Sequence, residues 1–140
     1  MNYGLYQEKI QTAFKFSSVG DKEASKDLYL DAIELAEDDR EKLEPLFALG
    51  LEFKEESPED AITYFNKCVE IAKKFENTFY YSYLYNAHLH LGDIYVNKKN
   101  FPKALFHSKK AYEEIMKMDD DPEATEYLKS IISVIEKKSA

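Results

Sequence analysis

The stretch Leu91-Gly92-Asp93-Ile94-Tyr95 lies in a run of helical periodicity and is followed, past a short polar turn, by Ala104, Ser108 and Ala111. A glycine inside a helix, an aromatic three residues on, and small residues along one face of the next helix describe two antiparallel helices in close contact. The same grammar occurs twice upstream. Gly50 and Phe53 precede Ala61, Phe65 and Cys68; Ala13 and Phe16 precede Ser25, Tyr29 and Ala32. From the first small residue to the second the gaps are 12, 11 and 12 residues, and from the second to the last the gap is 7 each time. Seven residues are two helical turns, so the small residues share a face and let a neighbouring helix approach.

Working outward from these hairpins, the chain reads as about seven helices. Tyr3, Tyr6, Ile10, Ala13 and Phe14 follow a three-to-four spacing over residues 3–18, which Gly20 ends and Asp21 follows as the cap of a second helix. A third helix is expected over about residues 40–55, capped by Asp38 or Asp39, with Pro45 in its first turns. Ser57-Pro58-Glu59-Asp60 is a start signal: a cap, a proline at the first position and acids at the positive helix end. Asn77 or Thr78 would cap a fifth helix over about 78–98 that opens on Phe79-Tyr80-Tyr81-Ser82-Tyr83-Leu84-Tyr85. Asn100 caps a sixth. Asp121-Pro122 opens a last one, about 122–137, with Ala124, Tyr127, Leu128, Ile131, Ile132, Val134 and Ile135 as its apolar stripe.

Composition agrees with an all-α chain. Four Gly and four Pro in 140 residues are too few turn formers for many short strands, and eleven Tyr with nine Phe supply a core. The net charge of −8 is lopsided: residues 1–70 hold 8 Lys/Arg against 17 Asp/Glu, and residues 71–140 hold 11 against 10. An acidic front half argues against nucleic acid, which needs a basic surface. Cys68 is the only cysteine, so no intrachain disulfide or cysteine-based metal centre can form. The N-terminus lacks the pattern of a signal peptide, and no stretch approaches the ~18 apolar residues of a membrane span. A cytoplasmic protein without a membrane contact is the expectation.

The pattern resembles the tetratricopeptide repeat family, in which Leu-Gly-x-x-Tyr and then Ala-x-x-x-Phe recur over about 34 residues per hairpin. Leu91-Gly92-x-x-Tyr95 matches fully and Leu49-Gly50-x-x-Phe53 nearly so, while Thr12-Ala13-x-x-Phe16 is degenerate. The family's Trp is replaced by His88 and Leu46, and the proline expected after each second helix is missing. From the last small residue to the next motif glycine a strict period gives 15 residues; the observed 18 (Ala32 to Gly50) and 24 (Cys68 to Gly92) imply lengthened helices. The resemblance implies one domain over residues 1–140: a right-handed superhelix of antiparallel hairpins, with repeats at about 3–36, 40–75 and 78–117 and a capping helix.

Nothing in the chain composes a catalytic or cofactor site, and no cofactor or metal is expected. His88 and His90 point about 200° apart on one helix and cannot chelate one ion; His107 would have to meet one of them across the hairpin, with a carboxylate such as Asp93. Asp119-Asp120-Asp121 lacks the glycine and distal glutamate of a calcium loop. Cys68 falls on a packing position, as a small apolar residue would.

Binding of a protein segment is the expected activity. By the resemblance, a concave groove is lined by Ile10, Phe14, Ser17 and Ser18, then Phe47, Leu51, Lys54 and Glu55, then Leu89, Asp93, Val96 and Asn97. Family members that clamp acidic chaperone tails place Lys, Asn and Arg there. Leu51 and Asp93 stand where Asn belongs, which disfavours such a clamp. Ile10, Phe14, Phe47, Leu51, Leu89 and Val96 with an acidic rim suit an apolar or amphipathic segment with basic flanks, or else pack on one another as core. The alternatives are a homodimer through the tyrosine-rich fifth helix or the last helix, and a piece of a larger bacterial-type regulator.

Overall fold

The computed structural model describes residues 3–75, 78–118 and 121–139. Its elements are seven α-helices and one 3-10 turn, with no strand among the described residues: α1 Tyr3–Ser18, α2 Lys22–Leu35, α3 Leu43–Phe53, α4 Pro58–Ala72, α5 Thr78–Asn97, α6 Phe101–Lys117 and α7 Pro122–Ser139. The chain divides into two compact units, residues 1–71 and 72–140. The acidic half of the sequence and the first unit therefore coincide.

In the first unit α1 pairs with α2 and α2 packs on α3. Tyr6, Ile10 and Ala13 of α1, Tyr29 and Ala32 of α2, and Leu49 of α3 are buried in one cluster. α3 and α4 meet at their small and aromatic positions. A Cβ built on Gly50 would lie 2.6 Å from Cε1 of Phe65, so only glycine lets α3 come this close to that ring. Phe47 meets the same ring edge-on at 5.5 Å. Cys68 is buried beside the Leu43 carbonyl, Sγ to O 3.9 Å, and burial pushes its thiol up to about 12, the signature of packing rather than reactivity.

The third helix differs from its expectation of about 40–55. The chain first makes a 3-10 turn at Asp39–Lys42 and becomes α-helical only over Leu43–Phe53. Asp38 caps that turn in a reciprocal box with Glu41. Pro45 brings no N–H to the Glu41 carbonyl, and the hydroxyl of Tyr6, reaching from α1, donates to it at 2.5 Å instead. A proline in α3 thus creates the acceptor that fastens α1.

In the second unit α5 pairs with α6, and α6 with α7. Ala111 and Ile115 of α6 are buried with Leu128 of α7, and Tyr85, Leu89, Tyr112, Met118 and Ala124 pack against them. Gly92 gives α6 the same close approach that Gly50 gives α4: a Cβ there would lie 2.9 Å from Oγ of Ser108.

Two of the hairpins turn identically. α1 ends with Gly20 at φ +84°, the N–H of Asp21 on the Phe16 carbonyl at 2.9 Å and the N–H of Gly20 on the Ser17 carbonyl at 3.0 Å. α5 ends with Lys99 at φ +59°, Asn100 N–H on Tyr95 O at 2.9 Å and Lys99 N–H on Val96 O at 2.9 Å. Each is a Schellman closure whose last residue, Asp21 or Asn100, is also the N-cap of the next helix. Asp121 caps α7 through the N–H of Ala124. At the third turn the Ser57 carbonyl accepts from Ala61, while its hydroxyl donates to the Asp60 carboxylate. The cap expected at Asn77 or Thr78, and the pair Asp119-Asp120, lie outside the described side chains.

Several residues of the expected apolar stripes face solvent, Tyr3 and Phe14 of α1 among them. Phe16, degenerate partner of Phe53 and Tyr95, is exposed, and on α7 Tyr127 and Val134 point away from the buried Leu128 and Ile135.

Candidate functional site

Within its own unit, each residue assigned to a groove has its own surroundings. Ile10 belongs to the core between α1, α2 and α3, and Leu89 packs on the Ala111–Ile115–Leu128 cluster. Phe47 is half-buried against Phe65. Lys54, at the C-cap of α3, and Asp93 and Val96 on α5 are half-buried, and Asn97 is exposed.

Phe14 and Leu51 are the apolar members left in water, 66% and 47% exposed. They occupy the same register, one residue after the inner small residue of α1 and of α3. The two helices are tied at this level by Ser17 Oγ, which donates to Glu52 Oε2 at 2.5 Å. Phe14 stands one turn before Ser17 on α1, and Leu51 directly precedes Glu52 on α3. Ser18 turns back to donate to the Phe14 carbonyl, and Lys22 pairs with Glu56 at 2.7 Å. The first unit, which carries both apolar side chains, holds nine more acidic than basic residues, 17 against 8. The Ser17–Glu52 bridge was not foreseen from the sequence, because it joins residues 35 apart that come together only when α1 and α3 both pack on α2.

The second unit brings two histidines together. Nδ1 of His88 on α5 lies 3.0 Å from Nδ1 of His107 on α6, and His107 stacks on Tyr95 at 5.5 Å and 5°. One ring must carry its proton on Nδ1 and the other present a lone pair. Burial pushes both imidazoles down to about 4; each also feels nearby positive charge, His88 from His107, Lys110 and Lys73, His107 from Lys103. His107 therefore meets His88, and Asp93 does not join them in a metal site: no group of three or more His, Cys, Asp or Glu gathers among the described residues. The surrounding lysines disfavour a cation as well.

No helix of the described residues is long and apolar enough to cross a membrane. No protein-family model matches the chain, and comparison with curated proteins and with solved structures finds no match.

Proposed function

We propose that the chain is a non-catalytic helical-repeat module of tetratricopeptide type that docks an apolar or amphipathic protein segment with basic flanks, in the cytoplasm. The observation that carries this reading is the pair Phe14 and Leu51, large apolar side chains held in water on two helices joined by the Ser17–Glu52 bridge. Exposed apolar anchors within a strongly charged surface are a mark of interaction faces. The excess of carboxylates selects basic flanks and predicts binding that weakens with salt. Ile10 and Leu89 contribute by supporting the helices from within, not by touching the partner.

The test is an array of amphipathic and extended peptides with lysine-rich flanks, read for segments that bind the chain. Phe14→Glu and Leu51→Glu should each weaken a bound segment by about 2 kcal/mol, the scale of a buried apolar anchor. Binding that survives both substitutions would overturn the reading.

A second reading, self-association through α7, draws on the exposed Tyr127 and Val134. The α5 tyrosines 80, 81, 83 and 85 are each half-buried and offer less. A single monomer mass by light scattering at millimolar chain concentration would end it.

A further inference from the structure

α7 carries two apolar seams, and packing on one neighbour uses only one of them. Leu128 and Ile135, seven residues apart, are buried, Leu128 in the cluster it shares with α6. Tyr127 and Val134, also seven apart, are 58% and 51% exposed, with the half-buried Ile131 between them. The steps from 127 to 131 to 134 are four and three residues, the spacing of a seam that meets a single facing helix. Charge bounds this outer seam. Glu123 stands one turn before Tyr127 and Lys138 one turn after Val134, both exposed and on the same face.

Those two ends say what covers it. In chain order the seam reads carboxylate, ring, aliphatic, ammonium, at intervals of four, seven and four residues, and the intervals are the same from either end. A second copy turned end for end therefore sets its Lys138 on Glu123 and its Val134 on Tyr127, twice over about one two-fold axis. A parallel copy would set Lys138 on Lys138 and Glu123 on Glu123. The other charges of α7 agree with the antiparallel sense. Glu126 pairs with Lys129 at 3.5 Å and Glu136 with Lys109 of α6 at 3.8 Å. Asp121 and Glu123 then mark one end, with Asp119 and Asp120 before them in sequence, and Lys137 and Lys138 mark the other. Residues 71–140 hold 11 basic against 10 acidic residues, so two copies meet here with little of the repulsion that the acidic first unit carries. We propose that α7 is an antiparallel two-fold dimerisation seam in which Tyr127 and Val134 of one copy pack on Val134 and Tyr127 of a second, closed at each end by Glu123 and Lys138. The proposal rests on the reading of α7 as a self-association surface and gives that surface its partner, symmetry and register.

Light scattering of the full chain up to millimolar concentration, joined to cysteine crosslinking, tests this. The mass should climb toward twice that of one chain and stop there. Val134→Glu and Tyr127→Glu, both at exposed positions, should each weaken association at least about tenfold. Cys68 is buried with its thiol pushed up to about 12, so introduced cysteines are the reactive ones. Under mild oxidation, Glu123→Cys chains mixed with Lys138→Cys chains should form the mixed disulfide dimer at least about tenfold faster than Lys138→Cys chains link to themselves, since only the mixed pair comes within bonding reach. A chain that keeps the monomer mass overturns this proposal and the self-association reading together. A dimer that survives Val134→Glu, a mass that climbs past two chains, or Lys138→Cys chains that link to themselves as fast as to Glu123→Cys overturns the antiparallel seam alone.

Discussion

Gly50 and Gly92 occupy the same motif position, yet the atoms that face them differ. Beside Gly50 stands the fully buried ring of Phe65, which has nowhere to go; beside Gly92 stands the hydroxyl of Ser108, which can rotate away. Alanine in a helix interior is ordinarily worth about 1 kcal/mol over glycine. Overpacking against a fixed ring outweighs that, so Gly50→Ala should destabilise the protein by about 1–3 kcal/mol in urea titration. Gly92→Ala should cost less, and in a Ser108→Ala background most of its cost should vanish, a coupling that a double-mutant cycle reads directly. Equal costs at the two glycines would contradict these packings. The glycines were legible from the spacing alone. That one faces an immovable ring and the other a rotatable hydroxyl was not, because the spacing names the partner position and leaves the room around it unspecified.

At the level of elements, the caps were the most readable feature. Asp21, Asn100 and Asp121 stand where a side-chain oxygen can take an early N–H of the following helix, and each does so. Such signals are local and survive any tertiary arrangement. The start of α3 was less readable, since Pro45 acts through a long-range partner: the carbonyl it leaves free is filled by Tyr6 from another helix. The two Schellman turns give an element-scale prediction. Lys99 holds a left-handed conformation that Gly20 holds without Cβ strain. Lys99→Gly should therefore stabilise the protein by about 0.5–1 kcal/mol, and Gly20→Ala should destabilise it by about 1 kcal/mol, both read as shifts of the urea midpoint. A Lys99→Gly protein less stable than the parent would mean that the turn is not closed in this way.

Over the whole molecule, charge and protonation separate the two units. The first holds the acidic excess; the second holds the histidine pair, faced by Lys73, Lys103 and Lys110. Both imidazoles bind their protons near 4 in the fold, against 6.5 for the free side chain, so between these values the unfolded chain takes up protons that the native chain refuses. The stability of the second unit should be full above pH 6.5, fall as the pH drops through that window, and flatten near 4. Replacing the pair with His88→Leu and His107→Phe, which keeps a ring on Tyr95, should flatten that part of the profile; an unchanged slope would place the acid sensitivity elsewhere. By itself the sequence determined the seven helices, the caps at Asp21, Asn100 and Asp121, and the buried small residues, because these follow from periodicity and from hydrogen bonds spanning a few residues. Only the tertiary structure decided which apolar side chains stay in water, that His88 meets His107, and that Glu114 is enclosed, with Oε2 lacking a donor among the described residues. Those outcomes depend on how far apart neighbouring helices stand and which way each is turned. A pattern such as Leu91-Gly92-x-x-Tyr95 sets the register of that contact and leaves its depth to the packing.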